Sequence, residues 1–424
     1  MTMRRPVGPM LLALLVALVL DSWPGRAQTA PAPADAAPAP AAVSPPAAGP
    51  TPLKLGVLVD RTGPYAAVGG EGSLAAARMA VADHGGTAGG RPIVLVEADD
   101  QNDLASADAT LTHWFDQDGV EAVVGLGSSA LALAAQELAR PRDKTLLIVG
   151  AADSDLSGKA CSATSTEWAE DTYALAHGTT DAVVQSGGDS WFFLTVDYAF
   201  GQAMERDAVE VVRDRGALML GQVRHPLGIG DFSSYLAQAK ASAARVVALA
   251  DAGSDVVAAI RQARQPGVLS PTQALAAYLV YITDIDAIGL AAAERLYVTE
   301  GFYWDQNDAA RAFAKRFNAE LHRMPTKQQA GIYAATTHYL KAVDAAGTTE
   351  AKAVNAKMRA LPVDFFGRAG SIRPDGRVLY DLTLYQVKSP QQSHYAWDYY
   401  QKVRDIPAAA AFRPMSEGHC PLVQ

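Results

Sequence analysis

Short runs of β-branched and aliphatic residues alternate with longer alanine-rich segments along most of this chain. Residues 53–59 predict a β-strand, and residues 73–83 predict an amphipathic helix because their apolar side chains recur at helical spacing. Further strands are predicted at 92–97, 121–126 and 145–149, and further helices at 104–115 and 129–138. Three successive β-α units predict an α/β fold with a parallel sheet that helices cover on both faces.

The same alternation restarts in the middle of the chain and predicts a second sheet. Its expected strands are 191–196, 217–223, 245–250, 276–280 and 295–298, and its expected helices are 202–215, 232–241 and 254–263. Helices at 308–322 and 331–345 and a last strand at 380–387 come after both sheets. The chain is therefore expected to cross between two halves more than once, which makes a hinge with a ligand groove beside it.

The N-terminal segment has the composition of an export signal. Arg4 and Arg5 precede an apolar run from Pro9 to Leu20, which ends in small residues near Ala27. These features predict a signal peptide over residues 1–27, since the run is too short to span a bilayer. Residues 28–52 are almost entirely alanine and proline and predict a disordered linker. We expect a soluble protein in the periplasm.

Composition limits the partners and the organisation of the part that folds. The roughly 370 remaining residues exceed what one hydrophobic core usually serves, so two lobes are expected. A net charge of -9 argues against a nucleic-acid partner, because phosphate binding needs a clustered basic surface.

The only two cysteines, Cys161 and Cys420, both lie in the part that is expected to be exported. In an oxidising compartment they predict a disulfide that ties the C-terminal tail to the middle of the chain. No metal site is expected, since neither cysteine has a second ligand at suitable spacing and the eight histidines are scattered.

The sequence lacks the common motifs of hydrolases, metalloproteases and nucleotide-phosphate binding, which weakens an enzymatic interpretation. One segment, residues 125–130 (GLGSSA), ends a predicted strand and opens a helix, with Asp153 after the following strand. It resembles a dinucleotide-binding loop, but it lies in the third β-α unit and its last glycine is replaced by alanine. The same helix start also suits a small carboxylate, which Ser128 and Ser129 would bind while Asp153 accepts a hydrogen bond from an ammonium or hydroxyl group. Either serine is equally an ordinary helix cap.

Aromatic and polar side chains follow several other predicted strands and are candidates for a ligand pocket. They occur in residues 61–65, 197–201, 251–253, 278–281 and 302–304. Aromatic rings there offer flat apolar walls with a polar tip. Tyr65 and Tyr198 are favoured because each lies in a glycine-containing loop.

Five segments together resemble a known family. They are residues 55–65 (LGVLVDRTGPY), 123–129 (VVGLGSS), 150–153 (GAAD), 197–201 (DYAFG) and 374–377 (PDGR). Their order and spacing are similar to those of the leucine/isoleucine/valine-binding proteins of ABC importers. The resemblance implies a type I periplasmic binding fold, with two Rossmann-like lobes, parallel central sheets and a three-segment hinge.

The resemblance also implies roles for single residues. Ser128 matches the family's carboxylate-binding serine, and Ala151 matches a position that contributes a backbone group. Asp153 stands where amino-acid binders usually carry threonine, and a carboxylate at this position would repel a second acid and favour a hydrogen-bond donor. Asp251 and Tyr281 align approximately with residues that hold the ammonium group. The family includes binders of amides, urea and aromatic carboxylates as well as amino acids.

The sequence therefore predicts a monomeric, non-enzymatic, cofactor-free binding protein that delivers an amino acid of the branched-chain type, or a related small carboxylate, to an ABC permease in the inner membrane. The first lobe would comprise residues 53–170 and 302–368, and the second residues 171–301 and 369–424. A binder of aromatic carboxylates or amides and a sensory ligand-binding protein are the alternatives, and a dinucleotide-dependent enzyme is a weaker one.

Overall fold

The computed structural model of the protein describes Gly25 and residues 50–423. The predicted signal peptide and almost all of the predicted linker lie outside the described residues. Within the described part, no helix combines the length and the apolar character needed to cross a membrane.

The first sheet has six strands in the order β2-β3-β1-β4-β5-β6. These strands are β1 (Leu53–Val59), β2 (Thr87–Ala88), β3 (Arg91–Asp99), β4 (Ala122–Gly125), β5 (Thr145–Ile148) and β6 (Ser165–Glu167). All neighbours are parallel except β2, which forms an antiparallel hairpin with β3. The connecting helices are α1 (Gly70–Asp83), α2 (Leu104–His113) and α3 (Ser129–Ala139). The predicted parallel sheet is confirmed, although β6 was not predicted.

The second sheet has four parallel strands in the order β10-β9-β7-β8. They are β7 (Ser190–Val196), β8 (Leu218–His225), β9 (Val246–Ala250) and β10 (Ala274–Ala277). The helices in this part of the chain are α4 (Thr172–Leu175), α5 (Asp181–Gln185), α6 (Ala199–Asp214), α7 (Ser233–Ala241), α8 (Gly253–Ala263), α9 (Ile282–Ile288) and α10 (Leu290–Ala293). β9 is buried at every position, as expected for a strand with helices on both faces.

The last third of the chain adds two small antiparallel sheets and four helices. Its elements are β11 (Tyr297–Glu300), α11 (Asp308–Leu321), α12 (Lys327–Ala346), α13 (Ala351–Ala360), β12 (Val363–Phe365), β13 (Arg368–Ile372), β14 (Val378–Leu379), β15 (Leu382–Val387), β16 (Tyr400–Ile406) and α14 (Ala408–Ala411). Helix α12 begins four residues before the predicted start. Thr326 and Gln329 cap it reciprocally, because each side chain accepts a hydrogen bond from the backbone N–H of the other.

The prediction that residues 295–298 complete the second parallel sheet is wrong. β11 pairs antiparallel with β15, and β15 pairs antiparallel with β16. An apolar run specifies a strand but not its partner, and here the partner comes late in the chain. β15 is also not the final strand. This three-stranded sheet joins two hydrophobic cores, since Leu384 packs in the core of the first sheet and Tyr385 in that of the second.

Three chain segments pass side by side between the two large sheets. The Glu170 carboxylate accepts a hydrogen bond from the N–H of Gly301, and the Tyr380 hydroxyl donates to the carbonyl of Trp168 at 2.6 Å. A Cβ atom at Gly301 would lie 2.5 Å from the Tyr380 ring, so glycine permits this close approach. These crossings confirm the predicted three-segment hinge.

The C-terminal tail returns to the elements of the first sheet. Cys161 and Cys420 form a disulfide with a Cα–Cα distance of 5.7 Å, which confirms the predicted pairing. Arg413 donates to the carbonyl of Ser154 at 2.6 Å. Phe412 packs in the first core beneath the guanidinium of the fully buried Arg377.

Candidate functional site

A pocket lies where the carboxyl ends of strands from both large sheets face each other. In α/β proteins this edge of a sheet is the usual place for a ligand. The lining residues are Tyr65, Val68, Gly127, Ser129, Gly150, Ala152, Tyr198, Phe200, Ala252, Leu279, Tyr281 and Gln328. The cavity they enclose measures about 10 Å³, which is room for about one water molecule. A ligand can therefore enter only if the lining residues of the two sheets move apart.

Tyr65 is positioned by the loop that follows β1. The Asp60 carboxylate accepts hydrogen bonds from the N–H groups of Gly63 and Tyr65, which folds the loop back on itself. On the opposite side, Gly253 has a φ of +63°, and a Cβ atom there would lie 2.9 Å from the Tyr65 ring. The loops from the two sheets therefore pack directly against each other.

The hydroxyl of Tyr65 shares a hydrogen bond with the hydroxyl of Tyr198, which follows β7. Burial raises the pKa of both phenols far above their ordinary value. Both hydroxyls therefore stay protonated: one donates to the other, and the second keeps its proton available for a ligand.

The start of helix α3 forms the polar end of the pocket. Ser128 is the N-cap residue, but its side chain makes no capping hydrogen bond. The first N–H groups of a helix have no partner within the helix and carry its partial positive charge. Ser129 lines the pocket, and its Oγ accepts a hydrogen bond from the N–H of Asp153 at 3.2 Å. Because the Ser129 oxygen accepts this bond, its hydroxyl proton is available to donate a hydrogen bond to a ligand.

Two of the predicted ligand residues, Ala151 and Asp153, do not line the pocket. The N–H of Ala151 already donates to the carbonyl of Leu126 at 3.0 Å, and its neighbour Ala152 lines the pocket instead. Asp153 accepts from the N–H of Asp155 at 3.0 Å and so caps a short turn. Burial raises the pKa of Asp153 to about 6.

Asp251 and Tyr281 come from the second sheet. Asp251 follows β9, is fully buried and does not line the pocket, and burial raises its pKa. Tyr281 caps helix α9 and does line the pocket. The ammonium of Lys327 lies 5.3 Å from the centre of the Tyr281 ring and 3.3 Å from the Glu300 carboxylate.

The structure thus brings Tyr65, Ser129, Tyr198 and Tyr281 together in one pocket. It places Ser128, Ala151, Asp153 and Asp251 in neighbouring positions that do not line it.

Sequence reasoning missed Gln328, the second residue of α12. Its side chain is 5% exposed and reaches between loops of the first sheet. A Cβ atom would lie 2.8 Å from the Gln328 amide nitrogen at Gly69 and 2.6 Å from it at Gly150. The capping pattern of Thr326 and Gln329 was the signal that would have located this helix start.

Comparison with known proteins agrees with this architecture. Residues 52–393 match the model of the family described as periplasmic binding protein. A periplasmic binding protein from Burkholderia mallei is 42% identical with a TM-score of 0.86, and the match covers 88% of this chain and 99% of that chain. A branched-chain amino acid ABC transporter periplasmic ligand-binding protein from Burkholderia xenovorans LB400 is 35% identical with a TM-score of 0.78, over 88% of this chain and 100% of that one.

A more distant structure, a solute-binding protein of an ABC transporter from R. palustris in complex with benzoate, shares the fold. It is 20% identical with a TM-score of 0.77, over 85% of this chain and 98% of that chain. No curated protein sequence matches this chain.

The fold and the pocket between its sheets define a type I periplasmic binding protein. This chain belongs to the periplasmic binding protein family. The predicted class of function, a solute-binding protein of the ABC-importer type, is confirmed.

Proposed function

We propose that the protein binds a small carboxylate with an apolar, preferably aromatic, body in this pocket and delivers it to an ABC permease. The observation that carries the proposal is the convergence of the α3 N-terminus and the Ser129 hydroxyl with aromatic walls from both sheets. A carboxylate at a helix start gains hydrogen bonds and a favourable field. The rings of Tyr65, Tyr198 and Phe200 would enclose the rest of the molecule.

The absence of an acidic side chain from the lining favours an uncharged body over an amino acid. None of the described residues that line the pocket carries a carboxylate. The ammonium group of a buried amino acid would therefore lack an ionised partner, which is costly. The benzoate-bound R. palustris protein shows that this fold accommodates an aromatic acid. A branched-chain amino acid is the second candidate, supported by the relative from Burkholderia xenovorans LB400.

Under this proposal the other predicted site residues support the pocket from outside. Ser128 and Ala151 fix the two first-sheet loops, and Asp153 orients Ser129 through the N–H that bonds its Oγ. Asp251 holds the start of α8 by accepting from the N–H of Ala252 at 2.8 Å.

We further propose that the protein is exported through the signal peptide at residues 1–27, works in the periplasm as a monomer and catalyses no reaction. Its two lobes would meet at the three crossings. Ile372 and Val378 pack in the core of the first sheet, so we place the boundary after residue 368 near Tyr380 instead, and Phe412, which packs in the same core, returns the C-terminal tail to the first lobe.

A comparison of two matched ligands tests the proposal. 3-Phenylpropanoate and phenylalanine differ only by the ammonium group. A ligand that binds only the folded state raises the melting temperature, by an amount that grows with the ratio of its concentration to its Kd. We expect 3-phenylpropanoate to give the larger rise in a thermal-shift assay of residues 28–424.

A larger rise with phenylalanine or leucine would establish the amino-acid alternative. A rise with NAD alone, among carboxylates, amides and dinucleotides, would overturn the binding-protein proposal in favour of an enzyme.

A further inference from the structure

Three metal-ligating side chains converge beside the ligand pocket, within the part of the molecule built on the second sheet. His225 ends β8, Asp251 follows β9, and Asp255 lies in the first turn of α8. One ligand atom from each of the three residues lies within 4.8 Å of the other two. All three side chains are buried. They come from three different elements, so the fold and not a local sequence motif brings them together.

Two atoms of this cluster lack the hydrogen bonds that buried polar atoms normally make. His225 Nε2 and Asp251 Oδ2 are 3.2 Å apart, and neither has a hydrogen-bond partner outside this pair among the described residues. Both side chains have no exposed surface, so solvent does not satisfy these atoms. Within the cluster they have only each other as a partner, and a shared cation would bind both atoms at once.

The remaining polar atoms of the cluster are held in ways that suit metal ligands. His225 Nδ1 lies 2.9 Å from the carbonyl of Pro226, which can only accept, so Nδ1 carries a proton and Nε2 is the nitrogen that would bind a metal ion. Asp251 Oδ1 accepts from the N–H of Ala252, and Asp255 Oδ2 accepts from the N–H of Gly228 at 2.6 Å. Hydrogen bonds of this kind orient the ligands at metal sites.

We propose that His225, Asp251 and Asp255 bind one divalent metal ion, for which Zn²⁺ has the best chemistry. Ligand atoms about 2.0–2.2 Å from a tetrahedral zinc ion lie about 3.3 Å from each other. The separation of His225 Nε2 and Asp251 Oδ2, 3.2 Å, agrees with that value. Imidazole and carboxylate ligands suit this ion, and two carboxylates balance its charge.

The ion would act on the second-sheet wall of the ligand pocket. Asp251 and Asp255 flank Ala252, which lines the pocket, and Gly253, which packs on Tyr65. Bound zinc would tie this loop to the end of β8 and so rigidify one wall. The inference goes beyond the proposed transport function and does not depend on which ligand is transported.

The test measures zinc directly on the full chain, purified without a histidine tag and freed of metal with a chelator. After incubation with ZnCl₂ and desalting, we expect one equivalent of zinc to remain bound to the protein. The zinc-loaded protein should also have a higher melting temperature than the metal-free protein. Asp255→Asn and His225→Gln should each lower zinc affinity at least tenfold. His84→Gln is the matched control, because His84 Nε2 lies 2.9 Å from Asp344 Oδ2 in a similar pair near the surface.

An anomalous difference map from a zinc-soaked crystal locates the ion even if a variant fails to fold. A peak between His225, Asp251 and Asp255 is the expected result. Zinc retained by Asp255→Asn, a peak elsewhere, or no bound zinc would overturn the proposal and leave these residues as a buried imidazolium–carboxylate pair beside a second acid.

Discussion

The hydroxyl groups of Tyr65 and Tyr198 hydrogen-bond to each other across the ligand pocket, although they belong to loops that follow strands of different sheets. Their rings fill space that a ligand would occupy, since the enclosed cavity is only about 10 Å³. The contact therefore joins the two sides of the pocket, and a ligand would have to displace it to occupy this space.

Removal of either hydroxyl should open the ligand-free protein. A hydrogen bond contributes about 1 kcal/mol, so Tyr198→Phe should shift the ratio of closed to open molecules about fivefold towards open. Small-angle scattering or a distance probe across the pocket would report a larger mean opening. Tyr65→Phe should have the same effect, and the double variant should add nothing to either single change. Additive effects would show that the two hydroxyls do not act through one contact.

Ser129 should contribute more to ligand binding than its neighbour Ser128. Ser129→Ala removes the one hydroxyl of the α3 start that lines the pocket, and a lost hydrogen bond to a charged group costs about 1–3 kcal/mol. Ligand affinity measured by calorimetry should fall accordingly. Ser128→Ala is the matched control and should change affinity by less. The reverse order would mean that the carboxylate lies on the other side of the helix start.

The two parallel sheets were predictable because their central strands are buried, continuous apolar runs that alternate with helices at regular intervals. β9 illustrates this, since residues 246–250 are wholly apolar and wholly buried. The pairing of β11 with β15 was not predictable in the same way. Neither β11 nor β15 alternates buried and exposed residues, so nothing local marks them as an antiparallel pair. β16, which completes that sheet, has mostly exposed side chains.

The candidate site was predictable only to the level of loops. Residues after parallel strands converge at one edge of a sheet, so Tyr65, Ser129, Tyr198 and Tyr281 could be expected to lie close together, and the structure places all four in the lining of one pocket. Which side chain of a loop faces inward depends on single hydrogen bonds. One such bond, from the Asp153 N–H to Ser129, turns the serine toward the pocket and the acid away.

The disulfide should stabilise the attachment of the C-terminal tail. It joins residues 259 positions apart, and cross-links that close long loops restrict the unfolded chain most in the loop-entropy model. Replacing both Cys161 and Cys420 with serine should lower the free energy of unfolding by about 2–4 kcal/mol. Proteolysis should then cleave first after residue 406.

Thiol labelling provides the independent check of this bond. Denatured, unreduced protein should expose no reactive thiol, and prior reduction should reveal two. Two thiols without reduction would contradict the bond and remove the basis for the stability prediction.

Glu300 should make the protein less stable as the pH rises. Burial raises the pKa of this carboxyl from 4.5 to about 8, despite the ammonium of Lys327 at 3.3 Å, and the acids Glu170 and Asp284 nearby raise it further. The folded state then keeps a proton that the unfolded state releases above about pH 4.5, so the free energy of unfolding falls between pH 5 and pH 8. Glu300→Gln should reduce that fall by on the order of 2 kcal/mol in chemical unfolding.

The exposed Glu320 supplies the control, because the free energy of unfolding of Glu320→Gln should fall with pH as steeply as that of the wild type. Equal slopes for the two variants would mean that Glu300 is ionised in the folded protein and that Lys327 fully compensates its burial.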